Sequence, residues 1–330
     1  MSISGINEKR PFSASSFFMR WEWILIAFLI VVTVINSIIS PHFLETTSIF
    51  DMTFNFMEKS IVALIMAFII IIGQIDLSVA SNMAMSSVVM GVSYQMGINI
   101  WPAMLIGLAV GTLGGLFNGI LITKVKLHSI IVTLGTYSLY RGIAYVILGD
   151  KAITNYPSSF SYLGQGYVGR SPVPLELIVF AVFTLIFGLV LHKTTFGRFM
   201  YAIGNNELAC RFSGVPVDRI KVIIFTISGF MSAVAGVLLT SRINTSRPNI
   251  ALGFELEIIT AVVLGGISIY GGEGSMIGVV LSLFLIGLAR YGMSLVNIPS
   301  QVMQVVIGFL LIVAILLPKA MRGIRSREAT

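Results

Sequence analysis

A single cysteine, Cys210, stands in the 330 residues. It cannot close an internal disulfide, and it offers no thiol spacing for a metal; in a polar loop it reads as a small, partly buried residue facing a partner. Histidine is nearly as scarce, at three, and the carboxylates are scattered, so no nucleophile–base set, paired acid and base or metal cluster assembles. The chain does not read as an enzyme. A glycine-rich loop followed by Lys-Ser/Thr is also missing, so the chain has no phosphate-cradling loop of its own and any energy must come from elsewhere. GQGYVG at residues 164–169 fits the spacing of a dinucleotide fingerprint, but no strand leads into it and no helix opens on it. Charge is the last scarcity. Asp, Glu, Lys and Arg make up 11% of the chain, against about 25% in soluble domains.

What is abundant is apolar length. Hydrophobic residues reach 56% and mean hydropathy is +0.95. Ten stretches approach the ~17–25 residues a membrane span needs: 21–39, 58–73, 77–97, 101–122, 128–148, 174–192, 222–240, 254–270, 275–296 and 300–318. The second and eighth are short or interrupted by glycine and are expected to be broken or tilted. The fold expected is an all-α polytopic membrane protein of about ten transmembrane helices. The first run is long and ends ISPHF without a small-residue cleavage pattern, so it reads as a retained span, anchored by Arg20, Trp21 and Trp23.

The net charge of +7 is explained by where the basic residues fall. With the N-terminus in the cytoplasm, fourteen Lys and Arg lie inside, five (Lys59, Lys151, Arg170, Arg242, Arg247) lie outside, and Arg141 and Arg290 stand in or at the ends of spans. This is the positive-inside pattern, with both termini cytoplasmic, and it leaves no need for a nucleic-acid partner. The division is a cytoplasmic tail at 1–20, one transmembrane domain at 21–318 with a cytoplasmic loop at 193–221, and a basic tail at 319–330. The outer loop at 40–58 carries His42, read as solvated, with Glu45, Asp51 and Glu58; the outer loop at 150–174 reads as exposed and rich in Gly and Tyr.

Polar residues at membrane depth should face protein or a water-filled path. Asn82 and Asn118 are two. Thr133, Thr136, Tyr137, Tyr140 and Arg141 form a third group on the fifth span; hydroxyls and rings there suit a passing polyol, or else they bond their own helix carbonyls. As a cluster these residues are the candidates for lining a path. Asp76 either meets substrate or a coupling ion, or caps the third span, where a carboxylate opposes the helix dipole; its place at the cytoplasmic end favours the cap. Gly107, Gly111, Gly115 and Gly119 recur every fourth residue on one face of the fourth span, suited to close helix packing within the chain or to a homodimer face.

The longest polar interruption is TTFGRFMYAIGNNELACRFSGVPVDRIK, residues 194–221. Its centre reads as a short helix with turn residues at both ends. This segment resembles the cytoplasmic coupling loop of permeases in bacterial sugar-importing ABC transporters of the ribose type. Three further stretches agree in family order: GQIDLSV at 73–79, NGILITKVKLHSIIVTLGTYSLYRGIAYVILG at 118–149, and AVVLGGISIYGGEGSMIG at 261–278. The likeness runs from about residue 21 to 318; Gln74 departs from it, since similar importers carry glycine there.

The resemblance implies a permease in the bacterial inner membrane that binds no cofactor itself. An ATPase subunit carries ATP and Mg, a periplasmic or tethered binding protein delivers the sugar, and a second permease copy or paralogue completes the path in the lipid. Alternating access would be driven through Gly204, Asn205, Asn206, Glu207, Ala209, Arg211 and Gly214. Arg170, Arg242 and Arg247 are the residues an acidic binding protein would meet, unless they are solvated surface charges. FMRWEW, IDLSVA and GQGYV look most like the rhamnose-type branch; autoinducer-2, ribose and xylose follow as substrates. An ion-coupled secondary transporter would need mid-span carboxylates, whereas Asp76, Glu255, Glu257 and Glu273 stand near span ends.

Overall fold

The computed structural model describes residues 21–40, 43–309 and 312. His42, both tails and the end of the tenth stretch lie outside them. The chain runs through α1 (Trp21–Ile39), α2 (Thr46–Asp51), a 3-10 turn (Met52–Asn55), α3 (Met57–Ile71), α4 (Val79–Gln95), α5 (Ile100–Lys124) and α6 (Ser129–Leu148). Next come β1 (Ile153–Thr154), α7 (Ser158–Gln165), α8 (Leu175–Lys193), α9 (Thr195–Asn205), α10 (Glu207–Phe212) and α11 (Val217–Ile243). β2 (Thr245–Ser246), α12 (Phe254–Leu264) and α13 (Met276–Leu295) follow, then α14 (Ser300–Phe309).

The protein is an all-helical, polytopic membrane fold. Among the described residues six helices (α1, α5, α6, α8, α11 and α13) are long and apolar enough to cross a bilayer alone, and the pair made by Thr46–Asn55 and α3, bent by 59°, makes up to seven. Of the ten stretches read from the sequence, α4 and α12 depart for different reasons. α4 carries Ser81, Asn82, Ser86 and Ser87, all buried; enclosed by α5, α6 and α11, it meets protein where a lipid-facing helix would meet hydrocarbon. α12 has 11 residues and so spans ~16 Å, about half the hydrocarbon core. Its expected extension to 270 fails because Gly265 and Gly266, the latter at φ +88°, turn the chain.

Packing is decided by α3 and by glycine. Every residue of α3 is buried, so it forms the central post. α5 lies against α11 at backbone distance: a Cβ on Gly115 would stand 2.2 Å from the Phe225 carbonyl oxygen, and one on Gly229 would stand 2.3 Å from that of Gly111. The glycine stripe is therefore used for packing inside the chain. At one end of the bundle the turns after α3, α5, α8 and α12 converge. At the other, β1 pairs antiparallel with β2 (Ile153 opposite Ser246), tying together two connections the sequence places outside. There the loop expected to be exposed is partly internal: Phe160 is fully buried, and a Cβ on Gly164 would stand 2.4 Å from the Arg242 nitrogen. Its Tyr162 and Tyr167 remain exposed.

Candidate functional site

The polar loop between α8 and α11 folds into two short helices because each start carries its own cap. Thr194 accepts a hydrogen bond from the Gly197 N–H at 3.3 Å, and Asn206 accepts from the Ala209 N–H at 2.9 Å. Gly214, at φ +80°, reverses the chain after α10, its N–H reaching the Arg211 carbonyl.

Glu207 holds α10 to the first turns of α11. It accepts from Lys221 at 2.7 Å and from Arg211 at 2.9 Å, while Arg211 also donates to Asp218 at 2.6 Å. Burial alone would raise the Glu207 carboxyl; the bonds from Lys221 and Arg211 outweigh it and hold the group below the usual carboxylate range. Glu207 and Arg211 are thus braces of the loop. The surface they hold up is apolar: Leu208 is 63% exposed and Phe212 85%, one helical turn apart on the same face. Ala209 is exposed beside them, whereas Cys210 is buried in the chain's own core. Gly204 packs on the chain's own backbone, and Asn205, exposed beside it, donates to the Gly272 carbonyl at 3.4 Å. A cleft of about 590 Å³ opens beside the brace, reached by Gln74, Lys126, His128, Glu207, Arg211 and Lys221.

The residues read as path lining sit elsewhere. Asn82 donates to the Gly111 carbonyl at 3.0 Å. Asn118 donates to Ser78 and accepts from Tyr140 at 3.2 Å. Thr133 and Thr136 bond the carbonyls of Ser129 and Val132, and Arg141 donates to those of Pro248 and Ile250. All six are buried inside this chain, with Tyr137 half-buried at the edge. The polar side of α6 is its inner side, bonding α5, the segment before α4 and the loop before α12. The open side carries Ile131, Gly135, Ser138, Leu139, Gly142 and Val146, and a Cβ on Gly135 or Gly142 would meet nothing within 4 Å. Asp76 does not cap α4: it lies two residues before the N-cap Ser78, which makes no side-chain cap bond, and it ties that turn to α11. Its Oδ1 accepts from the Ser78 N–H and hydroxyl, and its Oδ2 accepts from Ser228.

Of the outer arginines, Arg242 is ion-paired with Glu58, whose side chain is fully buried, while Arg170 and Arg247 remain exposed. Lys59, counted on the outer side, is buried in α3 and bonded to Glu257. Sequence reasoning missed Leu208, Phe212 and Tyr270, the last also 85% exposed. A signal existed for the first two, an i,i+4 apolar pair inside a charged loop. Among the described residues no group of three or more His, Cys, Asp or Glu is placed to hold a metal.

Comparison with known proteins matches residues 48–315 to the family described as branched-chain amino acid transport system / permease component. The chain is 37% identical over 293 residues to the ribose import permease protein RbsC of Bacillus subtilis (strain 168), covering 88% of this chain and 90% of the relative. It is 37% identical over 316 residues, 96% of each, to the L-arabinose transport system permease protein AraH of Escherichia coli (strain K12). With the autoinducer 2 import system permease protein LsrD of the same strain it shares 36% over 301 residues, 89% and 91% of the two chains. No solved structure matches it significantly.

Proposed function

Because the chain belongs to this permease family, as a ribose-type sugar-importer permease in the bacterial inner membrane, we propose that it carries a monosaccharide inward by alternating access, with rhamnose the first sugar to test. It is a transport subunit and does no bond chemistry. ATP and Mg are bound by a separate ATPase subunit that seats on α10. A periplasmic or tethered binding protein delivers the sugar at the opposite end, where Arg170 and Arg247 are exposed. A second permease copy or paralogue covers the open, small-residue side of α6.

The observation that carries this reading is the pair Leu208 and Phe212, held out of the fold by the Glu207 brace. Covering a large apolar side chain is worth roughly 1.5–3 kcal/mol, and aromatic anchors of this kind dominate protein interfaces. Supporting the sugar class are relatives named for ribose and L-arabinose; autoinducer-2 is the next substrate to try, from the relative named for it. The test is uptake of labelled rhamnose, ribose, L-arabinose and autoinducer-2 by cells carrying the whole system, with wild type beside Phe212→Ala at equal permease abundance. Uptake of one sugar, cut at least about tenfold by Phe212→Ala together with ATPase co-purification, is the expected result. Uptake of none of the four overturns the substrate assignment, and an unaffected Phe212→Ala overturns the docking site.

A further inference from the structure

The connection between α12 and α13 reaches the same end of the bundle as α10 and is built without slack. Gly266, Gly271, Gly272 and Gly274 all lie at positive φ, where other residues are strained. The Gly271 N–H bonds the Ser268 carbonyl at 2.9 Å, and the Ser268 N–H bonds that of Glu273 at 3.2 Å. The Tyr201 hydroxyl donates to the Gly274 carbonyl at 2.8 Å. On this tightly tied loop Tyr270 projects outward, 85% exposed. A rigid aromatic presented this way loses little conformational entropy on binding.

Beneath Tyr270 three backbones meet. The Gly272 N–H donates to the carbonyl of Ile71, the last residue of α3, at 2.8 Å. A Cβ on Gly204, at the end of α9, would stand 1.9 Å from that same oxygen and 2.3 Å from the Gly272 nitrogen. One on Gly271 would stand 3.0 Å from the Ile71 oxygen, the Gly73 nitrogen and the Gly204 oxygen alike. The Tyr270 loop, the helix leading into α10 and the central helix are therefore in direct main-chain contact, with no side chain between them to absorb a shift. At its far end α3 carries Glu58 and Lys59, paired with Arg242 and Glu257.

We propose that Tyr270 is a second contact for the ATPase subunit and that its loop passes the movement of that subunit directly to α3. This rests on the reading that α10 faces the ATPase. The loop adjoins α9, which leads into α10, so a partner covering Leu208 and Phe212 lies beside Tyr270 and has an aromatic anchor there. Load on the ring reaches Ile71 through one hydrogen bond, and α3, buried along its whole length, carries it to the ion pairs of the opposite face.

Cys210, the only cysteine, is buried, so single thiols can report the contact. Tyr270→Cys, Phe212→Cys and Met96→Cys, the last exposed at the opposite end, are treated in inverted membrane vesicles of the full transporter with a maleimide–diazirine cross-linker. Adducts with the ATPase subunit are expected at positions 270 and 212, and none at 96. An adduct at 212 but not at 270 overturns the inference and spares the docking reading; no adduct at either overturns both. In intact cells carrying the whole system at equal permease abundance, Tyr270→Ala is expected to lower sugar uptake about tenfold, the effect of one lost aromatic anchor, while ATP hydrolysis in the vesicles persists. Wild-type uptake in that variant also overturns the inference.

Discussion

The ion pairs at the two ends of the bundle are built on opposite terms. At the outer end Glu58 is fully buried and Arg242, 25% exposed, is its partner; Glu176 is buried beside them, neither of its oxygens hydrogen-bonded among the described residues. Nearby Lys59 lies 4.1 Å from the Phe254 ring centre and shares Glu257 with Arg290. At the inner end Glu207, Arg211 and Asp218 stay between 34% and 42% exposed, and only Lys221 is withdrawn. A buried pair cannot lose a member without stranding a charge in a poor solvent, whereas water covers the gap at an exposed one. The outer set fixes a geometry, and the inner set allows α10 to shift.

The sharpest way to break this contrast is Arg242→Ala, which strands Glu58 next to Glu176. A loss of about 3–5 kcal/mol in detergent-solubilised unfolding is expected, and pairing the change with Glu58→Leu should recover most of it. Lys59→Met is milder, because Arg290 still serves Glu257. The expected cost is about 1–2 kcal/mol, with Glu257→Gln in the same background adding little. The smallest effect belongs to Glu207→Gln, below about 1 kcal/mol. Its signature is pH. A carboxyl held below its usual value of 4.5 contributes stability above that pH and loses it as pH falls through the depressed folded value. Hydrogen-exchange protection of α10, corrected for intrinsic rates, should fall below pH 4.5 in wild type and stay flat in Glu207→Gln. A Glu207→Gln loss as large as that of Arg242→Ala would erase the distinction between the two ends.

Much of the frame was legible. The apolar stretches place α1, α5, α6, α8 and α13 within two residues of their observed limits, since a helix crossing lipid must be apolar along its length. The glycine stripe was legible because a smooth helix face is a local pattern. The polar group on α6 left two readings open, because the same hydroxyls suit a water-filled path and a buried helix contact equally well. The pairing of Arg242 was illegible for another reason: its partner Glu58 is 184 residues away, and a charge reveals nothing of what it will meet.

By itself, then, the sequence determined which segments are long and apolar and which loop stays polar. Each of these follows from composition or short spacing, which act before the chain is packed. Only the tertiary structure decided which side of α6 is closed, that Glu207 braces the loop beneath Phe212, and that Gly204, Gly272 and Ile71 meet at one point. Helical periodicity groups side chains onto a face, but what that face touches is set by long-range packing.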